Sequence, residues 1–440
     1  MASEPPEMVE DHVSASIPHW NDADAEVPTI VDGDGVTVYD EDGNGYLDFQ
    51  SQLYCVNAGH SNQRIIDAIG EQLERIPYVS SGKHNDTRSE LAARLLEIAP
   101  ESMGKTIFSI SGSEANEAAV MLAREYTGAP KVLTRWRSYH GGTYGTASLT
   151  GDTATHTTIE AHAATTGSDK FLPPIPSAFD GATGEELAEK AADHLEFVIQ
   201  NAGADSVAAL LTEVVAGSSG GFTAPPGYFK RVRELCDEYE ILLIADEVIT
   251  GFGRTGEWFG VDTEGIQPDM MTFAKGLTSS YVPLAGVMVT DDIGTHFEAD
   301  GFDVGQTFAG HPAGCAAGLA AIDVYEDGLI ENTQSVSPRL EAGLESLGDR
   351  FDVISSVDGR GLLWGIEFAD PETGEPFVDS RVEDGDNPVK DVVKHAGERG
   401  VLFGVGRPDT QIMIAPPLCV DETEVDEAIA ALESGIDAAF

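Results

Sequence analysis

Lys275 closes an apolar run, Met270-Met271-Thr272-Phe273-Ala274, and is followed by Gly276. The chain has only nine lysines, and a lysine is rarely buried without a partner. A desolvated amine holds its proton less tightly and becomes a nucleophile toward carbonyl carbon, which is Schiff-base chemistry. A strand-end lysine that simply reaches solvent would leave the same trace. Asp246 and Glu247 follow the run Ile241-Leu242-Leu243-Ile244-Ala245. Open α/β sheets bind ligands at the carboxyl ends of such strands, although a helix cap would use the same pair. Ser111-Gly112-Ser113 stands at the opening of a helix, where free N–H groups and the helix dipole favour an anion by about 0.3–1 kcal/mol. Tyr139-His140-Gly141-Gly142 sets an aromatic beside small residues, so that a planar ring can stack on it. Each motif alone is ordinary, a common turn or a core tyrosine in a glycine loop. Together, an anion cradle, a stacking ring, a buried acid and a Schiff-base amine are what pyridoxal 5'-phosphate requires. The acid would pair with the pyridine nitrogen and keep it protonated, a charge-assisted bond worth roughly 1.5–3 kcal/mol.

A competing motif weakens on inspection. Gly251-Phe252-Gly253-Arg254-Thr255-Gly256 fits the dinucleotide fingerprint and follows a strand. The fingerprint needs a helix next, to hold a pyrophosphate at its N-terminus. Glu257-Trp258-Phe259-Gly260, then Gly265 and Pro268, make a poor one.

The elements that must position these residues follow from periodicity. Residues 1 to about 30 read as an arm, and 36–49 as a hairpin with an Asn44-Gly45 turn. From about 65 to 325, apolar strands alternate with amphipathic helices, the pattern of an α/β domain with a mainly parallel sheet. Residues 106–110 form a strand, and Ala115, Ala118, Ala119, Leu122 and Ala123 then share a helix face. Tyr228, Val232, Leu235 and Tyr239 repeat at helical spacing and lead into the 241–245 strand, which is apolar throughout, as doubly buried parallel strands are. After about 325 a smaller α+β region follows, with strands at 362–368 and 411–414. Its final helix opens at a capping box of Asp421 and Glu424. The polar stretches 151–170 and 370–391 read as loops. This divides the chain into an arm and part of the small domain at 1–65, a large domain at 66–325 and a small domain at 326–440.

Composition narrows the function classes. The 440 residues carry 25 Lys and Arg against 76 Asp and Glu, a formal charge of −51, yet 41% are apolar. A chain this apolar folds around a core, so the charge lies on a folded surface. It repels phosphate backbones and anionic lipid, which argues against nucleic-acid and membrane binding. It suits a very salty cytoplasm, because at about 1 M salt the Debye length is roughly 3 Å. An ordinary acidic enzyme or a partner of basic proteins is the plainer alternative. Cys55, Cys236, Cys315 and Cys419 are scattered and form no metal-type pair, which fits a reducing compartment and no metal. The first twenty residues lack the basic and apolar regions of a signal peptide. The expectation is a soluble, cytoplasmic protein.

The ordered motifs resemble those of the class III (omega) aminotransferases, pyridoxal-phosphate enzymes of fold type I. They are Asn57-Ala58-Gly59-His60, Ser111-Gly112-Ser113-Glu114-Ala115-Asn116, Tyr139-His140-Gly141, Ala245-Asp246-Glu247-Val248 continuing to Gly256, Phe273-Ala274-Lys275-Gly276, and Thr307-Phe308-Ala309-Gly310-His311-Pro312. The resemblance covers about residue 20 to the C-terminus. It implies a large domain with a mainly parallel seven-stranded sheet flanked by helices, and a smaller α+β domain. It implies that Lys275 is the Schiff-base lysine and later moves a proton as general base, with Asp246 on the pyridine nitrogen. Val248 and Tyr139 would cover the two ring faces, and Glu213 would lie close to the cofactor. Gly112 and Ser113 would bind the phosphate together with Thr307 of a second subunit, so a homodimer or larger assembly with shared active sites is expected. The glycine-rich segment 251–256 becomes a structural turn.

The reaction implied is a two-step exchange in which an amine or omega-amino acid donor leaves as a carbonyl compound and a keto acid takes up the amino group. Arg407 matches approximately an arginine that reads the keto-acid carboxylate, and a bidentate arginine suits that task; a loop arginine fits the sequence as well. Two departures are visible. Glu213-Val214 stands where many relatives have Glu-Pro, and Tyr54 stands where several omega-amine members have Trp. The pair His311-Pro312 is more similar to the omega-amine, taurine and beta-alanine branch than to the ornithine or 4-aminobutyrate branch. An aminomutase, decarboxylase or phospho-lyase on the same scaffold, or a non-catalytic ligand-binding relative, are the alternatives.

Overall fold

A computed structural model describes residues 28–161, 167–298, 301–302, 305–382 and 385–440. The strands are β1 (Ile30–Asp34), β2 (Thr37–Asp40), β3 (Gly45–Asp48), β4 (Met103–Ser109), β5 (Lys131–Arg135), β6 (Ser168–Phe171), β7 (Val207–Thr212), β8 (Leu242–Asp246), β9 (Met270–Phe273), β10 (Ala285–Thr290), β11 (Ile354–Arg360), β12 (Leu363–Phe368), β13 (Val401–Leu402), β14 (Gly404–Gly406) and β15 (Gln411–Ile414). Seven of them form the central sheet in the order β4-β10-β9-β8-β7-β5-β6. Only β10 runs antiparallel to its neighbours.

The sheet is doubly covered because its middle strands are apolar at successive positions. Every residue of β7 and β9 is buried. Successive side chains point to opposite faces, so Leu243, Ala245 and Met271 join one core while Ile244 and Met270 join the other. The helix Gly112–Thr127 packs Ala118, Ala119, Leu122 and Ala123 on the second face. The helices Gly184–Ala202 and Tyr228–Glu238 pack Leu195, Ile199, Val232 and Leu235 on the first.

Two smaller sheets complete the fold. The order β1-β2-β3-β13 brings the N-terminal strands against Val401–Leu402, with β13 parallel to β3. The other is antiparallel, in the order β11-β12-β15-β14. The last helix, Glu422–Ala439, carries the expected capping box: Asp421 accepts from the N–H of Thr423 and Glu424, and Glu424 accepts from Asp421 N–H at 2.8 Å.

Three expectations are corrected. The hairpin is present, but Asn44-Gly45 is not its turn. Gly45 is already in β3, and the left-handed residue is Gly43, at φ 82°. The Asp40 carboxylate collects the N–H groups of Asp42 and Asn44 and the Tyr46 hydroxyl, and that Asx-type network sets the turn one residue earlier. The stretch 151–170 is not a loop. It contains the helix Thr153–Glu160 and the start of β6. Asp152 caps that helix through the N–H of Thr155, a cap that polar composition conceals. The stretch 370–391 ends in the helix Pro388–Gly397, capped by Asn387. The expected N-terminal arm lies outside the described residues, apart from its last few.

Candidate active site

Asp246 ends β8, and its side chain is almost wholly buried. Three elements hold it. Its Oδ2 accepts from Asn116 Nδ2 at 2.9 Å and lies 2.8 Å from His140 Nδ1. Its Oδ1 accepts from Val248 N–H at 3.1 Å and, weakly, from Thr272 Oγ1 at 3.5 Å. Asn116 is fixed in turn, donating to the His140 carbonyl and accepting from Thr272 Oγ1 at 2.8 Å. The His140 ring is completely buried, and its Nε2 has no partner among the described residues.

Lys275 opens the single turn Lys275–Thr278 just past β9, with φ +40°. A left-handed backbone costs a non-glycine residue about 1–3 kcal/mol and clusters at functional sites. Burial pushes the Lys275 amine below the usual lysine range, while nearby Cys55, Asp246 and Glu213 act the other way. Its Nζ stands 5.5 Å from the centre of the Tyr54 ring. Tyr54 is buried, and burial pushes its hydroxyl up to about 12, so it is neutral.

The anion cradle forms where the helix Gly112–Thr127 begins. Ser111 Oγ accepts from Glu114 N–H at 3.2 Å; the N–H groups of Gly112 and Ser113 belong to the set no helical carbonyl reaches. A Cβ on Gly112 would come within 3.0 Å of both Val248 methyl groups, so the cradle and the apolar wall are in contact. Ser113 Oγ accepts from Gly142 N–H at 3.2 Å. That bond ties the cradle to the loop carrying Tyr139, which is half-buried.

Glu213 directly follows β7. Its Oε2 pairs with Arg135 Nη2 at 2.7 Å, and its Oε1 accepts from Gly217 N–H. Burial pushes Glu213 up and Arg135 down, and the attraction between them opposes both shifts. Arg135 also lies over the Phe222 ring at 4.7 Å. Glu247 turns away from the site. It accepts from Thr250 Oγ1 and from the N–H groups of Gly260 and Val261. Burial nonetheless pushes it up to about 7. The glycine-rich segment leads only to the five-residue helix Gly260–Glu264, too short for a dinucleotide site, and Glu247 serves as its anchor.

A cavity of about 140 Å³ gathers Gly112, Ser113, Tyr139, Glu213, Asp246, Val248 and Lys275. A flat group with an anion at one end and a basic nitrogen at the other fits this set. The anion would meet the helix start, the ring would lie between Val248 and Tyr139, and the nitrogen would meet Asp246. Pyridoxal phosphate is such a group. The Tyr54 ring adjoins Lys275, and Arg407 lies over the Tyr139 ring, with its Cζ 5.6 Å from the ring centre. Arg407 also acts electrostatically on Tyr54. Thr307 lies apart, in an exposed turn whose carbonyl accepts from Tyr78 Oη at 3.0 Å. A larger cavity, about 850 Å³, is lined in part by Arg407 and Asp152.

Four residues escaped the sequence reading in their own right. His140 and Asn116 were visible only as motif letters, and Arg135 was one more polar strand end. Asp152 lay in a stretch read as a loop. A charged residue closing an apolar strand was the available signal for Arg135. Nothing local marked Asp152.

Comparison with known proteins bears on the family and the fold. The family model described as aminotransferase class-III matches residues 21–436. A probable aminotransferase of Mycobacterium tuberculosis is 37% identical, covering 92% of this chain and 89% of its own. A mitochondrial gamma-aminobutyrate transaminase of Oryza sativa is 34% identical, covering 93% and 81%. Among solved structures, taurine:2-oxoglutarate aminotransferase from Bifidobacterium kashiwanohense, in complex with pyridoxal phosphate and glutamate, superposes with a TM-score of 0.92. It is 32% identical, over 98% of this chain and 97% of that one.

Proposed function

The chain belongs to the class III aminotransferases, which use pyridoxal phosphate, and on that premise we propose that it moves an amino group from an amine or omega-amino acid to pyruvate or 2-oxoglutarate. The donor class we favour is that of beta-alanine, taurine and aryl amines. The position of Arg407 carries this reading. It stacks on Tyr139 and reaches Tyr54 electrostatically, and the Tyr54 ring is the one that Lys275 faces. A substrate with its reacting nitrogen or carbonyl at Lys275 would thus extend its carboxylate toward a guanidinium.

When bound, the cofactor supplies a carbonyl for the amine and a protonated ring that accepts electrons from the substrate carbon. The chain's residues do the rest. Lys275, partly freed of its proton by burial, would be the nucleophile and afterwards the base that holds and returns the proton at Nζ. Asp246 fixes a proton on the ring nitrogen. Gly112 and Ser113 N–H groups would hold the phosphate, and Val248 and Tyr139 would cover the ring faces and exclude water. Glu213, in the cavity wall, would lie near the ring, and Arg135 pairs with it.

Thr307 completes the phosphate site from a second copy of the chain, making the protein a dimer with shared sites. What supports this is its exposure, together with the exposed rings of Tyr78 and Phe308, which meet edge to face at 6.3 Å. Isolated exposed apolar residues are ordinary, but a group of this kind marks an interface. The −51 charge we read as adaptation to high salt, and a melting temperature unchanged between dilute buffer and molar KCl would overturn that. Among the described residues no helix is long and apolar enough to cross a membrane.

The test is a visible spectrum of the protein in high salt with pyridoxal phosphate, followed by taurine, beta-alanine, 4-aminobutyrate, ornithine and an aryl amine without acceptor. We expect the cofactor band to bleach with one donor class and return with pyruvate or 2-oxoglutarate. A band that no amine bleaches would turn the assignment toward a lyase or a binding protein.

A further inference from the structure

Arg407 does not face the pocket as a bare cation. Its Nη1 donates to Asp152 Oδ2 at 2.6 Å and to Thr155 Oγ1 at 2.8 Å. Asp152 is the more buried partner, with side-chain exposure of 7% against 28%. The same Oδ2 accepts Thr155 N–H at 3.0 Å and Thr155 Oγ1 at 2.6 Å, so the carboxylate is anchored by the helix it caps. The backbone of Arg407 is anchored too. Its N–H donates to the Ser218 carbonyl and its carbonyl accepts from Gln411 Nε2. Nε and Nη2 make no hydrogen bond among the described residues, leaving the side of the guanidinium that binds a carboxylate in bidentate fashion. Glu213, an acid in the cavity wall, is already paired with Arg135.

We infer that Asp152 is a specificity-determining residue that sets, through its charge on Arg407, the balance between carboxylate-bearing and carboxylate-free ligands. This rests on the reading of Arg407 as the carboxylate reader. A ligand carboxylate on the remaining edge of Arg407 lies within a few ångströms of Asp152, and the two anions repel in a site that water screens poorly. The same aspartate keeps Arg407 from opposing an ammonium donor with a neutral tail. One site therefore accepts both halves of the exchange, at the expense of its affinity for the acid.

The substitution Asp152→Asn separates charge from structure. Asparagine is as good a helix cap as aspartate and keeps an oxygen for Arg407. Propionate, which has a carboxylate and no reacting group, is titrated calorimetrically into the holoenzyme. We expect D152N to bind it about tenfold more tightly than the parent. In the same variant the half-reaction with an aryl amine, followed by loss of the cofactor band, is expected to need about threefold more amine. Asp152→Ser, another good cap without charge, gives the same readings should D152N fold poorly. Propionate binding that is unchanged or weaker in the charge-free variants overturns the inference. So does a tightening that persists when Arg407→Met is added, since Asp152 would then act without Arg407. Equal propionate binding by the parent and R407M instead overturns the reading of Arg407, and this inference falls with it.

Discussion

Asp246, in the wall of the cavity, and Arg407, over the Tyr139 ring, are held in opposite ways. Asp246 is a strand residue, sealed from water, with Asn116, His140, Val248 and Thr272 arranged around it from neighbouring elements. Arg407 sits between β14 and β15, partly exposed, with its main-chain N–H on a loop carbonyl and its side chain on one capping aspartate. The first arrangement allows a single geometry. A buried charge whose partners are removed costs several kcal/mol, so the network is all or nothing. The second is a pair whose acid is buried while its arginine stays partly open, and a ligand can compete for that open edge. On the proposed reading, chemistry common to every substrate would sit on the rigid end, and discrimination between substrates on the adjustable one.

The comparison can be broken at the rigid end first. Lys275→Ala should abolish turnover, a loss of at least about 10⁴-fold, since both the nucleophile and the proton carrier disappear; a steady-state assay that still shows parental rates would end the mechanism. Lys275 also gives a pH test. Its pKa is lowered, so the reactive neutral amine becomes dominant as pH rises through a value below the ordinary 10.5. The rate at which cofactor-free enzyme regains the visible band should climb with a midpoint below that value. A midpoint at or above it would mean that the amine is not desolvated.

Smaller effects test whether Asp246 needs its surroundings. Asn116→Ala removes one charge-assisted bond, worth roughly 1.5–3 kcal/mol, and should lower kcat by about 10- to 100-fold. The cofactor band should show altered pH dependence as well, which a merely loosened helix would not produce. At the adjustable end, Arg407→Met should raise KM for the keto acid by about tenfold and leave kcat with a carboxylate-free amine within about twofold. If kcat fell instead, Arg407 would belong to the chemistry and the division drawn above would be wrong. The smallest effect concerns salt. Exposed charges are screened and buried ones are not, so between about 0.5 and 3 M KCl the keto-acid KM should drift upward by a few-fold while cofactor affinity holds steady.

Legibility in the sequence follows the same division. Lys275, Asp246 and the Ser111-Gly112-Ser113 turn were readable because each breaks an apolar period at a strand end or helix start, and a local pattern is visible in a single stretch of chain. The parallel sheet was readable for the same reason, from runs such as Leu242–Asp246 that are apolar without alternation. Arg407 carried only an approximate match, and its partner Asp152 carried none, since 255 residues separate them. The hairpin turn was misplaced because Asp40 reaches forward to Asp42 and Asn44, a competition between side-chain acceptors that a dipeptide rule ignores.

The sequence by itself therefore determined the architecture and the cofactor class, and singled out the residues proposed to serve it, since hydrophobic period, strand-end polarity and ordered motifs are properties of contiguous segments. It also determined the acid-rich surface, which is a matter of composition. Only the tertiary structure decided which acid balances which base. It gave Glu213 to Arg135, Glu247 to the Gly260 turn and Asp152 to Arg407. With 76 acids for 25 bases, almost any pairing is possible along the chain. Burial and distance, which exist only once the sheet is assembled, select the few that matter.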